Sequence, residues 1–217
     1  MILAAGRGER MRPLTDATPK PLLRAGGKAL IEYPLEKLSS AGYTDIVINI
    51  HHLGEQIREF LGSGQRYGVT LHYCDEQPEA LETGGGIFNA LPWLGKDAFC
   101  VVNADIHCDH DLAPPALTRE TLAHLVLVPN PAHNPEGDFA LRDGKIATDG
   151  GPQWTFSGIG WYRPELFNGC QPGKFPLAPL LRRAAEKGQV SGEIHHGLWF
   201  DIGAPERLRQ LKEKLRH

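Results

Sequence analysis

Short apolar runs alternate with helical stripes through the first half of the chain. Met1–Ala5 reads as a buried strand that opens directly into a glycine-rich loop. Leu30–Ala41 carries apolar residues at 30, 31, 35 and 38, a helical stripe stopped by Gly42, with Pro34 tolerable only in its first turn. Asp45–Ile50 is β-branched and strand-like, and Leu53–Leu61 is helical with Gly62 as its stop. Val69–Tyr73 predicts a strand, Ile87–Leu94 a short helix after three glycines, and Phe99–Asn103 another strand. This βαβαβ rhythm argues for a parallel sheet with helices on both faces, and places a ligand at the carboxyl ends of the strands. After residue 120 the rhythm changes. Ala123–Pro129, Phe139–Thr148 (a hairpin turning at Asp143-Gly144) and Thr155–Tyr162 read as strands. Leu177–Lys187 and Pro205–Arg216 read as helices, so the second half is mixed. With no repeat and no linker, one continuous α/β domain over residues 1–217 is expected.

Composition sharpens this only in places. Apolar residues make up 41% and charged residues 23%, which is globular and excludes disorder. The formal charge is −3, so no bulk field draws the chain to nucleic acid or to anionic lipid. No apolar run exceeds five residues, against the roughly 20 of a membrane span, and no secretory signal is visible. The four cysteines (Cys74, Cys100, Cys108, Cys170) contain no CxxC and read as reduced thiols of a cytoplasmic protein. Cys108 lies near candidate chemistry and is a weak redox or ligand candidate.

The chemistry sits in four loops. In the segment 3–22, LAAGRGERMRPLTDATPKPL, Gly6 and Gly8 let the backbone turn after the first strand. Successive N–H groups in such a loop make a concave anion site suited to a triphosphate. Arg7, Arg10, Arg12 and Lys20 add positive charge, and Pro19 and Pro21 fix the backbone of Lys20. The spacing is neither GxGxxG nor GxxxxGK[ST]. Asp105, after the strand 99–103, and Asp201, in the run FDIGAPE at 200–206, stand where strands end. Two such carboxylates near a phosphate loop suit Mg²⁺, which takes few protein ligands and completes its shell with water and phosphate. Taken singly, each aspartate reads more readily as a turn or helix-cap residue, and only the combination with the loop reverses that. The fourth loop, LETGGG at 81–86, can set a flat base against backbone, or can be a helix start capped by Thr83.

These residues together resemble the signature of the sugar-phosphate nucleotidyltransferases. The LETGGG segment, Asn103-Ala104-Asp105, TFSGI at 155–159 and FDIGAPE fall where that family has its later motifs. The resemblance implies a Rossmann-like, GT-A-like single-domain fold. Its nucleotide-binding half would run over about 1–110 and its sugar-phosphate half over about 111–217, with no C-terminal β-helix. It implies that Leu3, Ala5, Gly6, Gly8, Glu9 and Arg10 hold the nucleotide and that Lys20 contacts phosphate. Glu82, Thr83 and Gly84 would lie against the base. Asn103, Gly137, Asp138, Ser157 and Gly158 would lie by the sugar, and Asp105 and Asp201 would bind Mg²⁺. Arg10 and Lys20 are the implied catalytic residues. Within the family, LETGGGIFNALPWLG, NPAHNPEGDF and LAPLLRRAAEKGQVSGE are most like members acting in peptidoglycan recycling.

The implied reaction is UTP plus a sugar 1-phosphate, N-acetyl-α-D-muramic acid 1-phosphate, giving UDP-N-acetylmuramic acid and pyrophosphate. Guanylyl or thymidylyl transfer to another sugar phosphate, such as a heptose, is the alternative within the class. A non-catalytic sugar-nucleotide sensor is the alternative outside it. The expected partners are UTP and the sugar phosphate, without nucleic acid or membrane, in a cytoplasmic monomer or weak homo-oligomer.

Overall fold

The computed structural model describes residues 1–216. In chain order the elements are β1 (Ile2–Leu3), β2 (Arg24–Ala25), β3 (Lys28–Ala29), α1 (Glu32–Ser40), β4 (Asp45–Ile50), α2 (Gly54–Leu61), β5 (Thr70–Asp75), α3 (Glu82–Leu94) and β6 (Phe99–Asn103). There follow β7 (Ile106–Cys108), β8 (Ala123–Val128), β9 (Phe139–Arg142), β10 (Lys145–Ala147), β11 (Gln153–Tyr162), α4 (Ala178–Glu186), β12 (Val190–Ile194), β13 (Trp199–Asp201) and α5 (Pro205–Lys214). Four short 3₁₀ turns punctuate them. Residues pack into two units that interleave along the chain. One holds Met1–Ala80, Val102–Leu112 and the segment from Leu198 onward; the other holds Leu81–Val101 and Ala113–Gly197.

In the first unit β1 is the middle of a parallel arrangement. Ile2 pairs with Ile48 of β4 and Val102 of β6, and Leu3 with Asn49 and Asn103. β4 runs parallel to β5 along its whole length, Asp45 opposite Thr70 through Ile50 opposite Asp75. Five consecutive residues of β4 are buried, as a strand covered on both faces requires. One of them is polar. Asn49 accepts from the Ala4 N–H at 2.8 Å and donates to Glu76 Oε1 at 2.6 Å. Both Asn49 and Glu76 are buried. This chain explains why β1 spans two residues instead of the expected five: from Ala4 the backbone leaves the ladder and its N–H is taken by a side chain. α1 carries Pro34 in its first turn, as expected, and starts at Glu32. Leu30 and Ile31, assigned to that helix by pattern, instead bond by their N–H groups to Leu23 and Pro21 carbonyls and hold the segment around Lys20.

The second unit is mixed. β11 is antiparallel to β8 and β9, β10 is antiparallel to β9 and β12, and β12 is parallel to β8. The hairpin turns at Asp143-Gly144, both with positive φ (49° and 74°), as the dipeptide predicts. α3 departs from expectation: it begins at Glu82 and takes the three glycines into its own first turns. Close packing is the reason, since a Cβ on Gly84 would stand 2.9 Å from the Phe175 carbonyl oxygen. The strands β2, β3 and β7, of two or three residues, carry too few for a periodicity and were not expected, nor was the five-residue β12. No helix among the described residues is long and apolar enough to cross a membrane.

Replacing Asn49 with Leu removes the acceptor of the buried Ala4 N–H and one hydrogen bond of the buried Glu76 carboxylate. The expected loss is about 2–4 kcal/mol, or a fall in Tm of roughly 5–15 °C for a chain of this size. Adding Glu76→Met should recover part of it, because both partners of the bond are then apolar. Thermal unfolding followed by circular dichroism checks both; an unchanged Tm in the single variant removes this network from the support of β1.

Candidate active site

The loop after β1 is shaped from within. Gly8 has φ 63°, and a Cβ there would stand 3.0 Å from Lys20 Cβ and 3.1 Å from Thr15 Cγ2. Thr15, buried, donates its hydroxyl to the Gly8 carbonyl at 2.9 Å. Gly6 differs: its φ is not positive and no atom stands within 4 Å of a Cβ placed on it. The conformational demand expected of both glycines therefore falls on Gly8 alone. Glu9–Met11 forms a 3₁₀ turn in which Glu9 and Arg10 are exposed and Met11 is buried. Met11 joins a cluster with Ala25, Leu30, Ile202, Leu208 and Leu211. One apolar side chain thus pins an otherwise polar loop to the C-terminal helix.

Lys20 opens a second 3₁₀ turn between buried Pro19 and Pro21. Its ammonium donates to Asp105 Oδ2, with both side chains mostly enclosed. Asp105 lies in the turn between β6 and β7, and the preceding Ala104 donates its N–H to the Leu3 carbonyl at 3.0 Å. β7 and β13 pair antiparallel, with Trp199 opposite Cys108, Phe200 opposite His107 and Asp201 opposite Ile106. The Ile202 N–H continues the ladder onto the Asp105 carbonyl at 2.9 Å. The backbones of two aspartates distant in sequence are therefore adjacent. Asp201 is not a helix cap: α5 has Ala204 at its N-cap position, without a side-chain cap. Its carboxylate instead meets Arg207, Nε to Oδ1 at 3.3 Å.

Leu3, Ala5, Gly6, Gly8, Glu9, Arg10, Lys20, Asn103, Asp105 and Asp201 all belong to the first unit. The other candidates belong to the second. Glu82 and Thr83 are exposed at the start of α3, and Gly84 is buried. Thr83 lies inside the helix and does not cap it. Glu82 has φ 61°, an uncommon conformation for a residue with a side chain, and lies 3.9 Å from Lys174 Nζ. Phe175 fixes this helix start through two backbone bonds, to Leu81 O (3.1 Å) and from Gly85 N (3.0 Å). Gly137, Asp138, Ser157 and Gly158 gather where β9 meets β11. Asp138 Oδ2 accepts from Phe156 N at 2.8 Å and from Asn134 Nδ2 at 3.2 Å. The register of β11 shifts between Phe156 and Ile159, and the fully buried Ser157 accepts the Ile159 N–H at 3.2 Å. These two side chains build a β-bulge, a device that re-aims a strand beside a site.

A model of the nucleotidyl transferase family matches residues 1–137. The chain belongs to that family. A protein of Neisseria meningitidis serogroup B named N-acetylmuramate α-1-phosphate uridylyltransferase is 51% identical over 98% of this chain and 96% of its own length. Another of the same name from Caulobacter vibrioides is 33% identical over 99% and 96%. Among solved structures, a Bacillus anthracis protein assigned as a glucose-1-phosphate thymidylyltransferase superposes with a TM-score of 0.86 over 99% of this chain and 94% of that one. At 24% identity it bears on fold alone, and it agrees with the Rossmann-like α/β expectation.

Sequence reasoning missed Thr15, Met11, the Asn49–Glu76 pair, Phe175 and Arg207. For Met11 a signal was available, one large apolar residue in a polar stretch. Asn49 offered another, a lone polar residue inside DIVINI. In this nucleotidyl transferase Cys108 is a buried residue of β7 whose thiol burial pushes up to about 11. That removes the reactive thiolate a redox role needs.

Two outcomes follow for the chain's chemistry. Lys20→Ala and Arg10→Ala should each keep the fold and cost roughly 3–4 kcal/mol of barrier lowering, the scale of one preorganised donor lost. Initial rates beside circular dichroism spectra check this, and a Lys20→Ala protein within a few-fold of wild type contradicts the role. Titrated with a disulfide reagent near pH 8, the native chain should show one fast thiol, Cys170, because Cys74, Cys100 and Cys108 are buried.

Proposed function

We propose that this nucleotidyl transferase moves UMP from UTP to N-acetyl-α-D-muramic acid 1-phosphate, giving UDP-N-acetylmuramic acid and pyrophosphate. The observation that carries the transfer chemistry is the β7–β13 ladder, which sets Asp201 beside Asp105 with Lys20 bonded to the latter. The choice of base and sugar is supported by the names of two relatives similar along nearly their whole length.

The donor set suits a divalent cation. Two aspartates, hard oxygen donors, lie on adjacent backbone of one short ladder, and Lys20 and Arg207 are their present ion-pair partners. Asp105 and Asp201 would hold Mg²⁺, which when bound supplies Lewis-acid neutralisation of phosphate oxygens. The chain's own residues do the rest. An oxygen of the sugar phosphate attacks the α-phosphorus in line, the new P–O bond forms, and the bond to the β-phosphate oxygen breaks as pyrophosphate leaves. A phosphate monoester is already anionic near pH 7, so no residue need remove a proton. The barrier is that of bringing two anions together, and position and charge dominate it. Lys20 faces the charge around the α-phosphorus and Arg10 that of the departing pyrophosphate. The loop from Leu3 through Glu9 cradles the triphosphate with backbone N–H groups. Glu82, Thr83 and Gly84 meet the base. Asn103 and Gly137 are assigned to the sugar phosphate; Asp138, Ser157 and Gly158 shape the strand corner that carries Gly137. Four free thiols and a UTP substrate fit the reducing cytoplasm.

Pyrophosphate release, measured with UTP, GTP, CTP and dTTP against a panel of sugar 1-phosphates, should be fastest with UTP and N-acetylmuramic acid 1-phosphate. Faster release with another base or sugar replaces that specificity. Asp105→Asn and Asp201→Asn should each abolish turnover. The double variant should be little worse than either, because groups acting as a unit are not additive. Near-normal turnover in Asp201→Asn removes it from the cation site.

A further inference from the structure

Asp201 is accompanied by a cation that no motif singles out. Arg207 lies in the first turn of α5, and its side chain and that of Asp201 are only 15% and 23% exposed. Arg207 Nε is sealed from solvent and, at 3.3 Å, makes an ion pair with Asp201 without the alignment of a full hydrogen bond. The helix that carries it is fixed by the next residue: Leu208 enters the cluster that also holds Met11 and Ile202.

Between the two residues stands Gly203. Its φ is not positive, so backbone conformation does not demand glycine there. Space does. A Cβ on Gly203 would run into the Arg207 Nη2 nitrogen and stand 3.3 Å from Arg10 Nη2. Two guanidinium ends, one from the phosphate loop and one from α5, thus converge on one bare stretch of backbone. Like charges brought together, the exposed Arg10 against the enclosed Arg207, favour an anion beside them. Asp201 meets Arg207 from the Nε side and leaves the Nη end directed to where Arg10 arrives. A fork of donors of this kind matches phosphate oxygens better than a point charge does.

We propose that Arg207 is a second pyrophosphate-binding residue. In this role it acts with Arg10 on the leaving group, is oriented by Asp201, and is given room by Gly203. This rests on the nucleotidyl-transfer reading above and adds a residue to it. It makes the Asp201 carboxylate serve on two sides, toward a cation and toward a guanidinium.

Binding of inorganic pyrophosphate, titrated calorimetrically in the presence of Mg²⁺, tests this without turnover. Arg207→Met should weaken binding about tenfold or more, the scale of a lost charge-assisted contact, while the KM for the sugar 1-phosphate stays within about twofold. Gly203→Ala should give the same defect by displacing both guanidinium ends, and the double variant should be no worse than either single one. Should Arg207→Met fail to fold, Arg207→Lys carries the test. It keeps a positive charge near Asp201 but loses the fork, so binding should weaken about threefold or more with Tm retained. Pyrophosphate affinity unchanged in the folded Arg207 variant, with affinity lost in Arg10→Met, overturns the proposal: the loop then binds pyrophosphate and Arg207 is only a structural partner of Asp201. Failure of the wild-type protein to bind pyrophosphate at all overturns the nucleotidyl-transfer reading, and this inference with it.

Discussion

A ladder of three residue pairs, β7 against β13, brings together what the rest of the candidate site is arranged around. Strands this short have little stability of their own, so the ladder must borrow its support. It does so from the ends: Asp109 N–H bonds to the Leu198 carbonyl at one end and Ile202 N–H to the Asp105 carbonyl at the other. Ile202 then enters the apolar cluster beneath the phosphate loop. Each aspartate carries its own cation, Lys20 on Asp105 and Arg207 on Asp201, so neither charge is left uncompensated in this partly enclosed place.

A rule of adjacency runs through this unit. Arg10 precedes Met11, Asp201 precedes Ile202 and Arg207 precedes Leu208; in each pair the second residue is buried in the same cluster. Fixing the apolar neighbour sets the backbone from which the polar one projects. Each polar residue then has few orientations left to lose when an anion binds, which is how packing at one layer becomes preorganisation at the next. The Asn49–Glu76 pair does similar work one layer further in, by ending β1 at Leu3 and releasing the loop there.

The longer elements were legible because each carries several turns or alternations of pattern: β4 and β6 match the expected spans residue for residue, and the Asp143-Gly144 hairpin follows from its turn dipeptide. Asp105 and Asp201 were named together from their loops, and their backbones are adjacent; the Lys20–Asp105 ion pair was not foreseen. What stayed hidden was non-local. No periodicity exists in strands of two or three residues such as β2 and β7. The glycines of α3 read as a loop because their reason, the backbone of Phe175 and Gly173 pressed against the helix, lies some ninety residues away. Arg207 was invisible for a related cause: an arginine in the first turn of a helix looks like a solvated charge until the carboxylate beside it is seen.

The interleaving of the two units along the chain has a consequence for biogenesis. The phosphate loop, the strand β1 and Lys20 are made before any residue of the second unit, whereas Asp201, Ile202 and Leu208 are made after all of them. During translation the nascent chain carries Met11 and Leu30 with half of their apolar cluster still missing, while the second unit already has all its strands. Domains complete in the nascent chain fold first. The residues of the second unit are thus all made before the first unit's apolar cluster can be completed by Ile202, Leu208 and Leu211.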